Sequence, residues 1–272
     1  MTTLDQIFER ARNRRRAAFI AYVMAGDPDL ATTLSVLNCL SAAGSDLIEL
    51  GVPYGDPLAD GPTIAAAAQR ALENGTRLAD VFALLKRHRE TGGAPVVLFT
   101  YFNPVYQYGI DRFTQNASEA GAIGIIVPDL ALDESLELRA SVAARGLQMP
   151  LLVAPTTSRE RAARIAESAT GFVYVVSRLG VTGANGMPNV TQVRRQVAML
   201  RDVTTKPLAV GFGISSAGGI REVASIADGV IVGSALIDAY AGKSGSEATR
   251  SLRTFVEPLV AATAWEGGVT LL

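Results

Sequence analysis

Residues 48–62 read IELGVPYGDPLADGP. The stretch opens as a strand, with Ile48, Leu50 and Val52 apolar. It then breaks into a loop punctuated by Pro53, Gly55, Pro57 and Gly61, and ends at Pro62, a residue suited to the first turn of a helix. Glu49 is a carboxylate inside an otherwise apolar run, so the strand that carries it has something to hide or something to do. Strand, loop and helix in that order form the unit that the rest of the chain repeats.

Short runs rich in Val, Ile, Leu and aromatics lie at Ala18–Ala25, Leu47–Val52, Pro95–Tyr101, Ile123–Pro128, Pro150–Ala154, Phe172–Ser177, Pro207–Gly211 and Gly229–Gly233. Between them come helical patterns such as LATTLSVLNCLSAAG, RLADVFALLKRHRE, SLELRASVAARGL, RERAARIAESA and VTQVRRQVAMLRDV. Two more flank the series, LDQIFERARNRR before the first strand and ATRSLRTFVEPLVAA after the last. Continuous apolar strands joined by crossover helices mean a parallel sheet covered on both faces. Even spacing without a composition shift, and no GxGxxG after the first strand, favour closure into a (β/α)8 TIM barrel over an open doubly wound sheet. The reading is one domain over residues 1–272 with an extra N-terminal helix.

The chain has 272 residues, is 49% hydrophobic and carries a formal net charge of -1. That balance leaves no electrostatic footprint for nucleic acid. The Arg12 and Arg14–Arg16 cluster reads as the solvated end of a helix. There is no signal peptide and no apolar run long enough to span a membrane, so a cytoplasmic location is expected. Cys39, the single cysteine, sits in an apolar helical pattern and reads as a small buried hydrophobe.

The barrel fixes where chemistry belongs, at the C-terminal ends of the strands and in the loops that follow. The single histidine, His88, falls on a helix outside the barrel and reads as a solvated surface residue, which removes His-based triads and zinc sites. None of the three lysines, Lys86, Lys206 and Lys243, falls where an imine-forming lysine must. No metal site has recognisable spacing. Carboxylate acid–base chemistry remains. Alternation along the strand turns Glu49 inward near the barrel mouth, where desolvation raises its pKa; the competing reading is a buried ion pair with an arginine such as Arg178. Asp60, in the loop after this strand, is balanced between a helix N-cap and a catalytic carboxylate. Asp56 reads by default as a turn residue before Pro57.

Glycine-bearing turns GFGISS (211–216) and GSALID (233–238) follow the last two strands, where barrels of this kind seat phosphate. A third, RLGVTGANGMP (178–188), has the length of a mobile lid. A phosphate monoester substrate is expected.

The strings IELGVPYGDPLADGP, VYVVSRLGVTG, VGFGISS, VGSALI and FIAYVMAGDPD together resemble the tryptophan synthase α subunit family, over essentially the whole chain. The resemblance implies cleavage of indole-3-glycerol phosphate to indole and glyceraldehyde 3-phosphate. It implies Glu49 as general acid–base and Asp60 as acceptor for the indole N–H. Tyr22, Thr100, Tyr174, Thr182 and Phe212 would line the substrate cavity, and Gly183, Gly213, Gly233 and Ser234 would hold the phosphate. Pro53, Asp56, Asn103 and Pro104 match regions that dock a β subunit in an α2β2 heterotetramer. No cofactor is expected in this chain, and pyridoxal phosphate is expected on the β partner. Tyr22, Gly55 and Ala131 stand where the family commonly has Phe, Ser and Pro, and the lid stretch is shorter than usual.

Overall fold

A computed structural model describes residues 2–177, 190–211 and 213–265. Its strands are β1 (Ala18–Met24), β2 (Leu47–Gly51), β3 (Val96–Phe99), β4 (Gly124–Ile126), β5 (Leu151–Val153), β6 (Val173–Val176), β7 (Leu208–Gly211) and β8 (Gly229–Val232). All the pairings are parallel, and the eight strands form one sheet in the order β4-β3-β2-β1-β8-β7-β6-β5. The outer strands meet through residue 148, just before β5. There the Ile125 N–H donates to the Gln148 carbonyl (2.9 Å) and the Gln148 N–H to the Ile123 carbonyl (3.0 Å). The sheet therefore closes into the expected barrel, with each strand trimmed at one or both ends relative to its apolar run.

Among the described residues, the helices are α1 (Leu4–Asn13), α2 (Leu30–Ala42), α3 (Pro62–Glu73), α4 (Leu78–Glu90), α5 (Phe102–Tyr108), α6 (Ile110–Ala120), α7 (Leu136–Ala144), α8 (Arg159–Ser168), α9 (Val190–Arg201), α10 (Ala217–Ala224), α11 (Ser234–Tyr240) and α12 (Gly245–Ala261). Of these, α5, α6 and α10 have no counterpart among the helical patterns read from the sequence. The first two are joined through Gly109, whose φ of 92° breaks the helix between Tyr108 and Ile110.

α1 is the extra helix. A Thr3/Gln6 capping box starts it, and Leu4, Ile7, Phe8 and Ala11 form its buried stripe. Phe8 packs on Phe172 with ring centroids 5.3 Å apart, and Gly229 leaves the room that the Phe8 ring occupies. The Gln148 side chain bonds the Leu4 N–H and the Asp5 carboxylate, tying α1 to the seam where the barrel closes.

Two expectations about surface charge are corrected. His88 is buried rather than solvated, with Nδ1 3.1 Å from Asn38 Oδ1 and Nε2 3.0 Å from the Ala94 carbonyl. Its face of α4 turns toward α2 and the turn before β3, and both ring nitrogens have partners there, so burial is tolerated. Because this is the N-terminal end of β3, His88 stays remote from the catalytic end. Arg16 does not simply solvate a helix end either. It makes a two-pronged pair with Asp46, both bonds 2.6 Å, and Asp46 also accepts the Phe19 N–H at 2.8 Å. Asp46→Ala should therefore cost about 3–5 kcal/mol in urea unfolding, the penalty for stranding a largely buried charge. A loss under 1 kcal/mol would show the pair to be incidental. Cys39 is buried as expected.

Candidate active site

Glu49 occupies the middle of β2, in register with Tyr22 of β1 and Val97 of β3. Residues in register on parallel strands share a face, and the aromatic contacts identify that face as the barrel interior. The Tyr22 ring meets Phe99 edge-on at 5.5 Å, and Phe99 meets Tyr174 at 6.5 Å, a contact between β3 and β6 that crosses the barrel. Gly51 makes this possible, since a Cβ there would lie 2.4 Å from the Tyr22 hydroxyl. Gly211 has the same relation to Tyr174, at 2.5 Å.

The Glu49 side chain is fully buried, and neither carboxylate oxygen has a hydrogen-bond partner among the described residues. No arginine meets it among the described residues, and Arg178 lies outside them. Burial alone pushes its carboxyl up to about 8. A buried carboxyl kept neutral near physiological pH and lacking partners is shaped to exchange a proton with something that enters the cavity.

Asp60 lies in the loop between β2 and α3. The alternative reading of it as a helix cap does not hold, because the N-cap of α3 is Gly61, with no side-chain cap. Its carboxylate instead accepts a hydrogen bond from Tyr101, whose hydroxyl in turn accepts the Ala59 N–H at 3.0 Å. Burial raises the Asp60 carboxyl to about 6, and the Tyr101 bond opposes that rise. Both carboxylates act electrostatically on Tyr22 and Tyr174, which burial first and these charges second push up. Glu49 and Asp60 thus lie near the same two tyrosines. Tyr101 is among the groups that the strand ends offer in the sequence, but sequence reasoning gave it no role. It stood at the end of a strand, but nothing local reveals that its hydroxyl crosses to the loop after β2.

Thr100 is buried and donates its hydroxyl to the Tyr101 carbonyl at 3.2 Å. Gly213 (φ 85°) lies after β7, and Gly233 precedes Ser234, the first residue of α11; a Cβ on Gly233 would come within 3.3 Å of Tyr22. Thr182, Gly183, Phe212 and the lid stretch lie outside the described residues. Between α5 and the loop after β2, the Asn103 amide donates to the Tyr54 hydroxyl at 3.1 Å. Asp56 and Asn103 are exposed, Pro104 is half-buried and Pro53 is buried.

A parallel eight-stranded barrel with one desolvated carboxyl inside it on β2 and another in the loop that follows has the frame and the groups of an acid–base enzyme of the (β/α)8 class. The family model described as "Tryptophan synthase alpha chain" matches residues 8–263. The tryptophan synthase alpha chain of Opitutus terrae is 47% identical over 265 residues, covering 97% of this chain and 99% of that protein. The Synechocystis sp. protein of the same name is 46% identical, covering 96% and 99%. The structure of Mycobacterium tuberculosis tryptophan synthase superposes with a TM-score of 0.90 at 37% identity, covering 97% of this chain and 100% of that one. The chain belongs to the tryptophan synthase alpha chain family.

Proposed function

We propose that Glu49 and Asp60 carry out the family's reaction in this chain, the cleavage of indole-3-glycerol phosphate in tryptophan biosynthesis. The observation that carries this reading is Glu49 itself, fully buried in the barrel, with both oxygens unpartnered among the described residues and its carboxyl raised to about 8. Protonation of indole C3 turns the ring nitrogen into the electron sink. Removal of the proton from the glycerol C3′ hydroxyl then breaks the C3–C3′ bond, its electron pair returns to the ring, and indole and glyceraldehyde 3-phosphate leave. Glu49 takes the hydroxyl proton and helps to protonate C3. Asp60, ionised, accepts the indole N–H and stabilises the positive charge that develops there.

Gly183, Gly213, Gly233 and Ser234 hold the phosphate in this reading, and Tyr22, Thr100, Tyr174, Thr182 and Phe212 form the cavity wall. Asp56, Asn103 and Pro104, over the buried Pro53, form the docking face for a β subunit that carries pyridoxal phosphate, in an α2β2 assembly. Leu58 in the loop after β2 and Tyr106 on α5, 74% and 64% exposed, support such a face. This chain works in the cytoplasm and holds no cofactor of its own.

The purified chain incubated with indole-3-glycerol phosphate should release indole, faster when β subunit is added. No indole under either condition overturns the reading. A fast rate that β subunit leaves unchanged overturns the docking assignment alone.

A further inference from the structure

α3 is the element that fixes Asp60, since it begins two residues later. Its buried face is Ile64 in the first turn followed by Ala67, Ala68 and Ala71, so beyond that turn only alanines interlock against sliding or rotation. Its N-terminus has no side-chain cap. Polar bonds at both ends supply what the apolar face lacks. In its first turn, the Thr63 hydroxyl donates to Asp238 of α11 at 3.2 Å. In its last turn, Arg70 grips Asp27, beyond the end of β1, with Nε 2.7 Å from Oδ1 and an Nη 3.1 Å from Oδ2. Asp27 is buried, and the Asn74 amide donates to the next residue's carbonyl, that of Pro28.

We propose that the Arg70–Asp27 pair and the Thr63–Asp238 bond form a strap that positions Asp60 for the reaction. The inference rests on the role given to Asp60 above. A two-pronged guanidinium–carboxylate contact fixes both distance and plane, so the pair sets the rotation of α3 as well as its height. Asp238 lies one turn along the helix that starts at Ser234, so the strap also ties the Asp60 loop to the element placed beside the substrate phosphate. Arg70 and Thr63 touch no substrate; they act through Asp60.

The test is a double-mutant cycle on the full chain with saturating β subunit. Arg70→Lys keeps the charge and loses the fork, and Thr63→Val is a near-isosteric change at a half-buried site, so both should fold. Each should lower kcat for indole formation by roughly 10-fold while KM for indole-3-glycerol phosphate moves less than about 2-fold, since small misplacements of a catalytic group act on the chemical step. In an Asp60→Asn background, followed over hours, the same changes should cost less than about 2-fold, because the group they position is already gone. Equal losses in both backgrounds would reduce the strap to general scaffolding and overturn the inference alone. If Asp60→Asn by itself kept the wild-type rate, the role of Asp60 would fail, and the strap with it.

Discussion

Glu49→Gln should lower indole formation by about 10³-fold, within the roughly 10²–10⁴-fold range of positioned acid–base groups, while the chain still folds and binds a phosphate ester. Gln keeps the shape of the protonated acid and cannot exchange a proton, so the loss should fall on kcat. The same variant carries a stability signature. The folded carboxyl titrates at about 8 against an ordinary value of 4.5, a rise caused by burial. Between those pH values the unfolded chain has released a proton that the folded chain retains, so wild-type stability falls as pH rises through this window. Below it, wild type and variant should unfold alike. At pH 9 the variant should be the more stable by on the order of 3–5 kcal/mol in urea titrations. Retained turnover would remove Glu49 from the chemistry, and equal stability at pH 9 would show that water or a counter-charge reaches the carboxylate.

The second large effect concerns Asp60. Only its ionised form offsets the positive charge that develops on the indole nitrogen, and burial raises its carboxyl to about 6. The kcat/KM profile of the free enzyme should therefore lose activity below about pH 6, and this limb should disappear in Asp60→Asn, whose maximal rate should be about 10²-fold lower. Tyr101→Phe supplies the sign test. The Tyr101 hydroxyl favours the charged carboxylate, so removing it should move the acid limb to higher pH. A limb that stays put in Tyr101→Phe would show that another group sets it.

The carboxylates differed in how far the sequence revealed them. Glu49 was legible because strand alternation turns it inward, and an ionisable residue at that place in an apolar run has few other uses. Asp60 was not, because an aspartate two residues before a helix-starting proline also suits a cap. The resemblance favoured the catalyst, and the structure removed the cap by giving that position to Gly61. His88 misled because α4 is polar along much of its length. Only the packing of α2 against it shows that the imidazole faces inward, between Asn38 and Ala94.

What the sequence determined by itself was periodic: eight apolar runs alternating with helical patterns, closed into a barrel, with chemistry confined to one rim. Periodicity is local, since each residue's face follows from its neighbours in the chain. What only the tertiary structure decided is which distant groups meet. The Tyr101 hydroxyl reaches the Asp60 loop 42 residues back at Ala59, Arg70 reaches Asp27 across 43 residues, and Gly51 makes way for Tyr22. Such contacts depend on strand register, helix rotation and the absence of a single Cβ. Those are set by the packing of the whole barrel, and no local pattern encodes them.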